Sequence, residues 1–134
     1  MTEKDEQVLQ GGVNTVVRVG TTVRRPVGPW TSAVHVLLAH LAKQGFAGAP
    51  RAYGIDEQGR EVLDFVEGEV LTYPLPPVAV SDEGLASVGR LLREYHDLTV
   101  DFLPEAADAV WYVEAREPVE VLCDRDFATH NMVF

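Results

Sequence analysis

Sulfur chemistry is nearly absent from this chain. Its 134 residues include one cysteine, Cys123, and two methionines. A lone thiol excludes an internal disulfide and any site built from several thiolates. Histidine is also scarce. His35, His40, His96 and His130 fall at no metal-ligand spacing, which argues against a zinc centre. Positive charge is the next shortage: 11 Lys and Arg stand against 21 Asp and Glu, a formal net charge of −10. So acidic a chain lacks the basic footprint that nucleic-acid binding requires. No apolar run approaches the ~20 residues of a membrane span. The opening MTEKDEQVLQ is polar and acidic, unlike a secretory leader. The expectation is a cytoplasmic protein with no nucleic-acid or membrane partner.

What remains is an ordinary globular composition, 46% hydrophobic and 24% charged, in a length that suits one domain at most. The charge is uneven. Residues 13–60 carry six bases against Asp56 and Glu57, whereas residues 61–134 carry four bases against sixteen acids. A basic front suits an anionic ligand and an acidic back suits a cationic substrate; solvated surface charge explains the same pattern.

Hydrophobic periodicity divides the chain into short elements. Residues 1–12 read as a flexible N-terminus. The runs VNTVVRV (13–19) and TTVRRP (21–26) are rich in β-branched residues and flank Gly20, the pattern of a hairpin. Thr31 or Ser32 is placed to cap a helix with Val34, Leu37, Leu38 and Leu41 on one face and Gly45 at its end. A strand, a turn at Asp56–Gly59 and a strand from Arg60 to Phe65 follow. Tyr73-Pro74-Leu75-Pro76-Pro77 reads as a rigid connector that is not helical. Ser81 heads a second helix with Asp82 and Glu83 in its first turn and an apolar face of Leu85, Val88, Leu92 and Tyr95 or Leu91. The 101–118 stretch carries no firm assignment. VEVLC (119–123) reads as a strand with a buried Cys123, followed by the polar loop DRDFATHN and the apolar MVF.

That loop holds Asp126 and Asn131 at its two ends. Phosphoryl transfer needs a carboxylate to orient and deprotonate the attacking hydroxyl, and oxygen ligands for Mg2+ that an Asn side chain can supply. Local turn bonds account for the same two residues equally well.

The ordered set resembles the aminoglycoside phosphotransferase-like family of kinase-fold phosphotransferases, in its trifolitoxin-immunity-like subgroup. GGVNTVVRVGTTVRRPVGPW looks like the first hairpin, VLDFVEGEV like the strand and hinge, LLREYHDLT like the helix ending in Leu-His, and VLCDRDFATHNMVF like the catalytic loop. The resemblance implies an α+β fold: a kinase-like N-lobe of antiparallel sheet plus one helix over 13–68, and an incomplete, mostly helical C-lobe over 69–134. It implies transfer from ATP or GTP, with Mg2+, to a hydroxyl of a small, cationic molecule. Asp126 takes the catalytic position and Asn131 the metal-binding one. Arg24, with Arg25 as neighbouring candidate, stands where a nucleotide-contacting Lys is expected, and Asp64, Phe65 and Val66 lie in the segment (Leu63 to Gly68) whose backbone would line the purine pocket.

The sequence departs from the family pattern at three places. Asp124 replaces the loop His. Val34 or His35 stands where a helix Glu would pair with the nucleotide Lys. The sequence given ends three residues after Asn131, before the second metal-binding Asp of the pattern. The expectation is therefore an impaired phosphotransferase, or alternatively a non-catalytic binding or immunity module of the same fold, with homodimerisation through the uncovered C-lobe surface.

Overall fold

The computed structural model describes residues 5–9, 15–71, 73–123 and 132–133. The chain divides into two compact units. One comprises Met1–Phe65 with Ala107–Ala115; the other comprises Val66–Ala106 with Arg116–Phe134.

The first unit is a five-stranded antiparallel sheet with one long helix. Its strands are β1 (Glu6–Leu9), β2 (Val16–Val19), β3 (Thr22–Pro26), β4 (Ala52–Ile55) and β5 (Arg60–Asp64), in the order β1-β2-β3-β5-β4. The β2–β3 hairpin turns at Gly20-Thr21 as its β-branched runs suggest, in the register Val17↔Arg24 and Val19↔Thr22. Strand β5 lies between β3 and β4, and Glu61, Val62 and Leu63 are all buried, so it is covered on both faces. Residues 6–9 differ from the flexible N-terminus expected for 1–12. They form the edge strand β1, paired with β2 from Glu6↔Val19 to Leu9↔Val16. Four residues with two polar side chains give a weak period-2 signal; the ladder to β2 and a Glu6–Arg60 ion pair at 3.0 Å hold them.

Helix α1 (Thr31–Lys43) buries Thr31, Ala33, Leu37, Leu38 and Leu41. Thr31 does not cap it as expected. The N-cap is Trp30, and the Thr31 hydroxyl instead accepts the Gly28 amide at 2.9 Å, closing the turn that leads into the helix. The helix ends in a Schellman motif: Gly45 N–H donates to Ala42 O and Phe46 N–H to Leu41 O, with Gly45 at φ 77°. Segment 107–115 belongs to this unit and meets it through Tyr112, which lies edge-on to Trp30 with ring centroids 4.7 Å apart. That stacking depends on Gly28, where a Cβ would fall 2.4 Å from the Trp30 ring.

The second unit is helical: α2 (Pro77–Val80), α3 (Asp82–Thr99), a 3₁₀ turn (Val100–Phe102) and α4 (Leu103–Ala107). Pro77 opens α2 rather than extending a connector, since Pro is tolerated where the helix needs no amide donor. Ser81 caps α3 as expected, accepting the Gly84 amide at 3.0 Å. Along α3 only Thr99 is buried; Leu85 is 58% exposed, and Val88, Leu91, Leu92 and Tyr95 are half-exposed. The strand expected at Val119–Cys123 is absent and Cys123 is exposed, not buried. A strand needs a backbone partner along its length. Here the Val119 amide donates to Glu117 and the Leu122 amide to the Thr99 hydroxyl, which leaves no ladder.

Two substitutions test the packing of the first unit. Leu41, 2% exposed, should lose about 2–5 kcal/mol on Leu41→Ala. Gly45→Ala should cost only about 1 kcal/mol, because a Cβ there meets nothing within 4 Å and only the left-handed backbone resists. Urea midpoints of the two variants should fall in that order.

Candidate functional site

Side chains alternate across a strand. Adjacent arginines on β3 must therefore point to opposite faces, and their partners show which. Arg25 pairs with Glu61, its cross-strand neighbour on β5. The Arg25 Nε–H donates to Glu61 Oε1, and Glu61 Oε2 lies 2.8 Å from His35 Nε2 on α1. Arg25, Glu61 and His35 thus share the sheet face beneath the helix. The Glu61 side chain is 3% exposed, that of His35 18% and that of Arg25 40%. A carboxylate this deep survives only when paired and hydrogen-bonded, and both its oxygens are bonded. The guanidinium is held at its Nε end by a buried anion while the rest of the group reaches solvent. A planar fork so anchored suits a second, external oxyanion.

Arg24 faces the other way. Its Nη1 lies 3.1 Å from Asp56 Oδ2, and Arg60 Nε binds that same oxygen at 2.9 Å. Arg60 reaches on to Glu6, so two cations and two anions close a network on this face. Asp56 is held down to about pKa 2, first by the Arg60 amide, which outweighs the opposing effect of desolvation, and then by the Arg60 and Arg24 side chains and the Gln58 amide.

Asp64 and Phe65 are engaged elsewhere in the first unit. The Asp64 carboxylate accepts the Tyr53 hydroxyl at 2.6 Å and the Arg51 amide at 2.8 Å, which lowers its pKa and raises that of Tyr53. It fastens β4 to β5. The Asp64 amide donates to Arg51 O and the Phe65 amide to Thr21 O. These two amides of the expected purine-lining segment are therefore engaged within the sheet. The Phe65 ring lies beneath the Arg18 guanidinium, 3.7 Å from its centroid, and Val66 is exposed. Asp126, Asn131 and the whole 124–131 loop lie outside the described residues. Among the described residues no group of His, Cys, Asp and Glu is placed to hold a metal ion.

A model of the phosphotransferase enzyme family APH matches residues 6–133. The chain belongs to this family. It is also 47% identical, over 96 residues, to the trifolitoxin immunity protein of Rhizobium leguminosarum bv. trifolii. The alignment covers 70% of this chain and 35% of that relative, so the chain spans about a third of the curated protein it matches. No solved structure matches it significantly. The five-stranded sheet with its single long helix is the α+β arrangement of an APH N-lobe.

Within this APH chain, the residue pattern offers Arg24 and Arg25 as candidate cations and does not single out Glu61, the partner of Arg25. Glu61 was available as a signal: a charged residue directly before the apolar pair Val62-Leu63, two positions from Leu63 and hence on the same face. His35 is one of the two residues, with Val34, standing where the family's helix Glu is expected.

The Asp56 network carries a pH prediction. Its folded-state pKa lies below the ordinary value of 3.8, so the folded chain binds fewer protons there than the unfolded chain. The stability it contributes is complete above about pH 4 and is lost as pH falls toward 2; Asp64 acts in the same direction. Asp56→Asn should flatten the decline of Tm between pH 4 and 2 relative to the parent chain.

Proposed function

We propose that this chain belongs to a phosphotransferase that moves the terminal phosphoryl group of ATP or GTP to a hydroxyl of a small molecule, with Arg25 rather than Arg24 holding the nucleotide phosphates. The observation that carries the reading is the Arg25 guanidinium, fixed at Nε by buried Glu61 and exposed beyond it. Arg24 is already paired with Asp56. By resemblance, Asp126 takes the proton of the acceptor hydroxyl and Asn131 is a ligand for Mg2+, which would neutralise phosphate charge when bound. The sixteen acids of residues 61–134 suit a cationic acceptor.

A second reading has one observation in its favour, the 47% identity to a protein named for trifolitoxin immunity. In that reading the phosphate site serves recognition or immunity without turnover.

Calorimetric titration with ATP and GTP tests the site. Arg25→Gln keeps a donor for Glu61 but removes the charge, and should weaken nucleotide binding by about tenfold or more. Arg24→Gln should lower stability and leave binding unchanged. Equal affinity in the Arg25 variant and the parent chain would remove the basis of the proposal. Nucleotide binding without transfer to any hydroxyl acceptor would favour the second reading.

A further inference from the structure

Resting on the assignment of Arg25 as the phosphate-holding cation, we infer that Glu61 is its positioning residue and that His35, on the other oxygen of the same carboxylate, sets how strongly Arg25 attracts an anion. The juxtaposition is compact. One buried carboxylate has an arginine on Oε1 and a histidine on Oε2. With His35 neutral, Arg25 and Glu61 cancel and an incoming anion meets a neutral pair. With His35 protonated, two cations share one anion and the triad carries a net positive charge. The anion bound at Arg25 then gains Coulomb energy that bulk water only partly screens, because Glu61 and His35 are largely withdrawn from solvent. Anion affinity therefore rises as His35 takes up a proton, and by linkage anion binding promotes that uptake.

Strand register and hydrogen bonds place four charged or titratable groups on this face: Arg25, Glu61, His35 and Arg18. From β3 the face presents Arg25, from β5 Glu61 and from α1 His35. Ile55 of β4 is the cross-strand neighbour of Glu61. Arg18 of β2 shares the face but is engaged by Gly20 O and the Phe65 ring. Glu61 holds Arg25 through strand register, Arg25↔Glu61, so the pair does not depend on the position of the helix.

Sulfate is a suitable probe, since it is tetrahedral and remains a dianion throughout pH 6–8. The whole 134-residue chain should bind sulfate about fivefold more tightly at pH 6 than at pH 8, the low end of typical coupling because Arg25 is partly exposed. In His35→Gln, whose amide can still donate to Glu61 without titrating, the affinity should be flat with pH and equal to the parent value at pH 8. A purely structural histidine would change stability and leave the parent pH profile in place, and that outcome overturns the inference while Arg25-dependent binding keeps the phosphate site. Loss of the sulfate response in Arg25→Gln at every pH is expected; its persistence there would instead overturn the site assignment beneath it. Calorimetry of the parent chain in two buffers of different ionisation heat needs no variant. It should show proton uptake on sulfate binding between pH 6 and 8, and none would sink the coupling even if His35→Gln failed to fold.

Discussion

A carboxylate sunk beside valine and leucine on an interior strand of a sheet is the constraint around which the first unit is organised. Glu61 is flanked by buried Val62 and Leu63 and is itself almost wholly withdrawn from water. Leaving such a charge unpaired costs several kcal/mol, more than most single interactions in a small domain return. Two elements must therefore deliver donors to it: β3 brings Arg25 by strand register, and α1 brings His35 by packing on that face. The register of β3 on β5 and the rotation of α1 about its axis are both tied to this one group. A slip of one residue on β3 would place Arg24 beneath the helix and turn Arg25 to the outer face.

The two arginines consequently live in different electrostatic settings. On the outer face, Arg24, Asp56, Arg60 and Glu6 balance their charges among themselves and join β1, β3 and the β4–β5 turn. That network serves stability and is acid-sensitive. On the inner face the balance is asymmetric, since the carboxylate is buried and the arginine is not. The exposed end of a buried ion pair is where a ligand can enter without desolvating both partners, which is why the inner arginine is the better anion receptor although the two residues are adjacent.

Much of the architecture was legible from residue patterns. The hairpin, α1, the Asp56–Gly59 turn and the Ser81 cap each have a local cause: β-branched runs, 3.6-residue periodicity, Asx and glycine chemistry, a hydroxyl ahead of two acids. What was not legible depends on partners far away in sequence. Strand β1 is held by a ladder to β2 and by Arg60, 54 positions from Glu6. The apparent strand at Val119–Cys123 has the right composition and, among the described residues, no ladder to a neighbouring strand. The choice between Arg24 and Arg25 could not be made from β3 alone, because alternation assigns faces only once the location of the helix is known. The engagement of the Asp64 and Phe65 amides by Arg51 and Thr21 is hidden for a similar reason, since no local motif announces it.

The position of the acid also changes what the site can do mechanically. In the family pattern the residue that pairs with the nucleotide cation sits on the helix, so sheet and helix must be correctly disposed before the cation is aimed. Here the acid is on β5, and cation and acid are neighbours in one sheet, joined by the same hydrogen-bonded ladder that defines the fold. Moving α1 would not release Arg25; it would only remove His35 from the second oxygen. The helix is thereby left with control over charge rather than over aim. A protonatable ring suits that role better than a fixed anion, since a second permanent carboxylate beside Glu61 would weaken the very attraction that Arg25 is placed to exert.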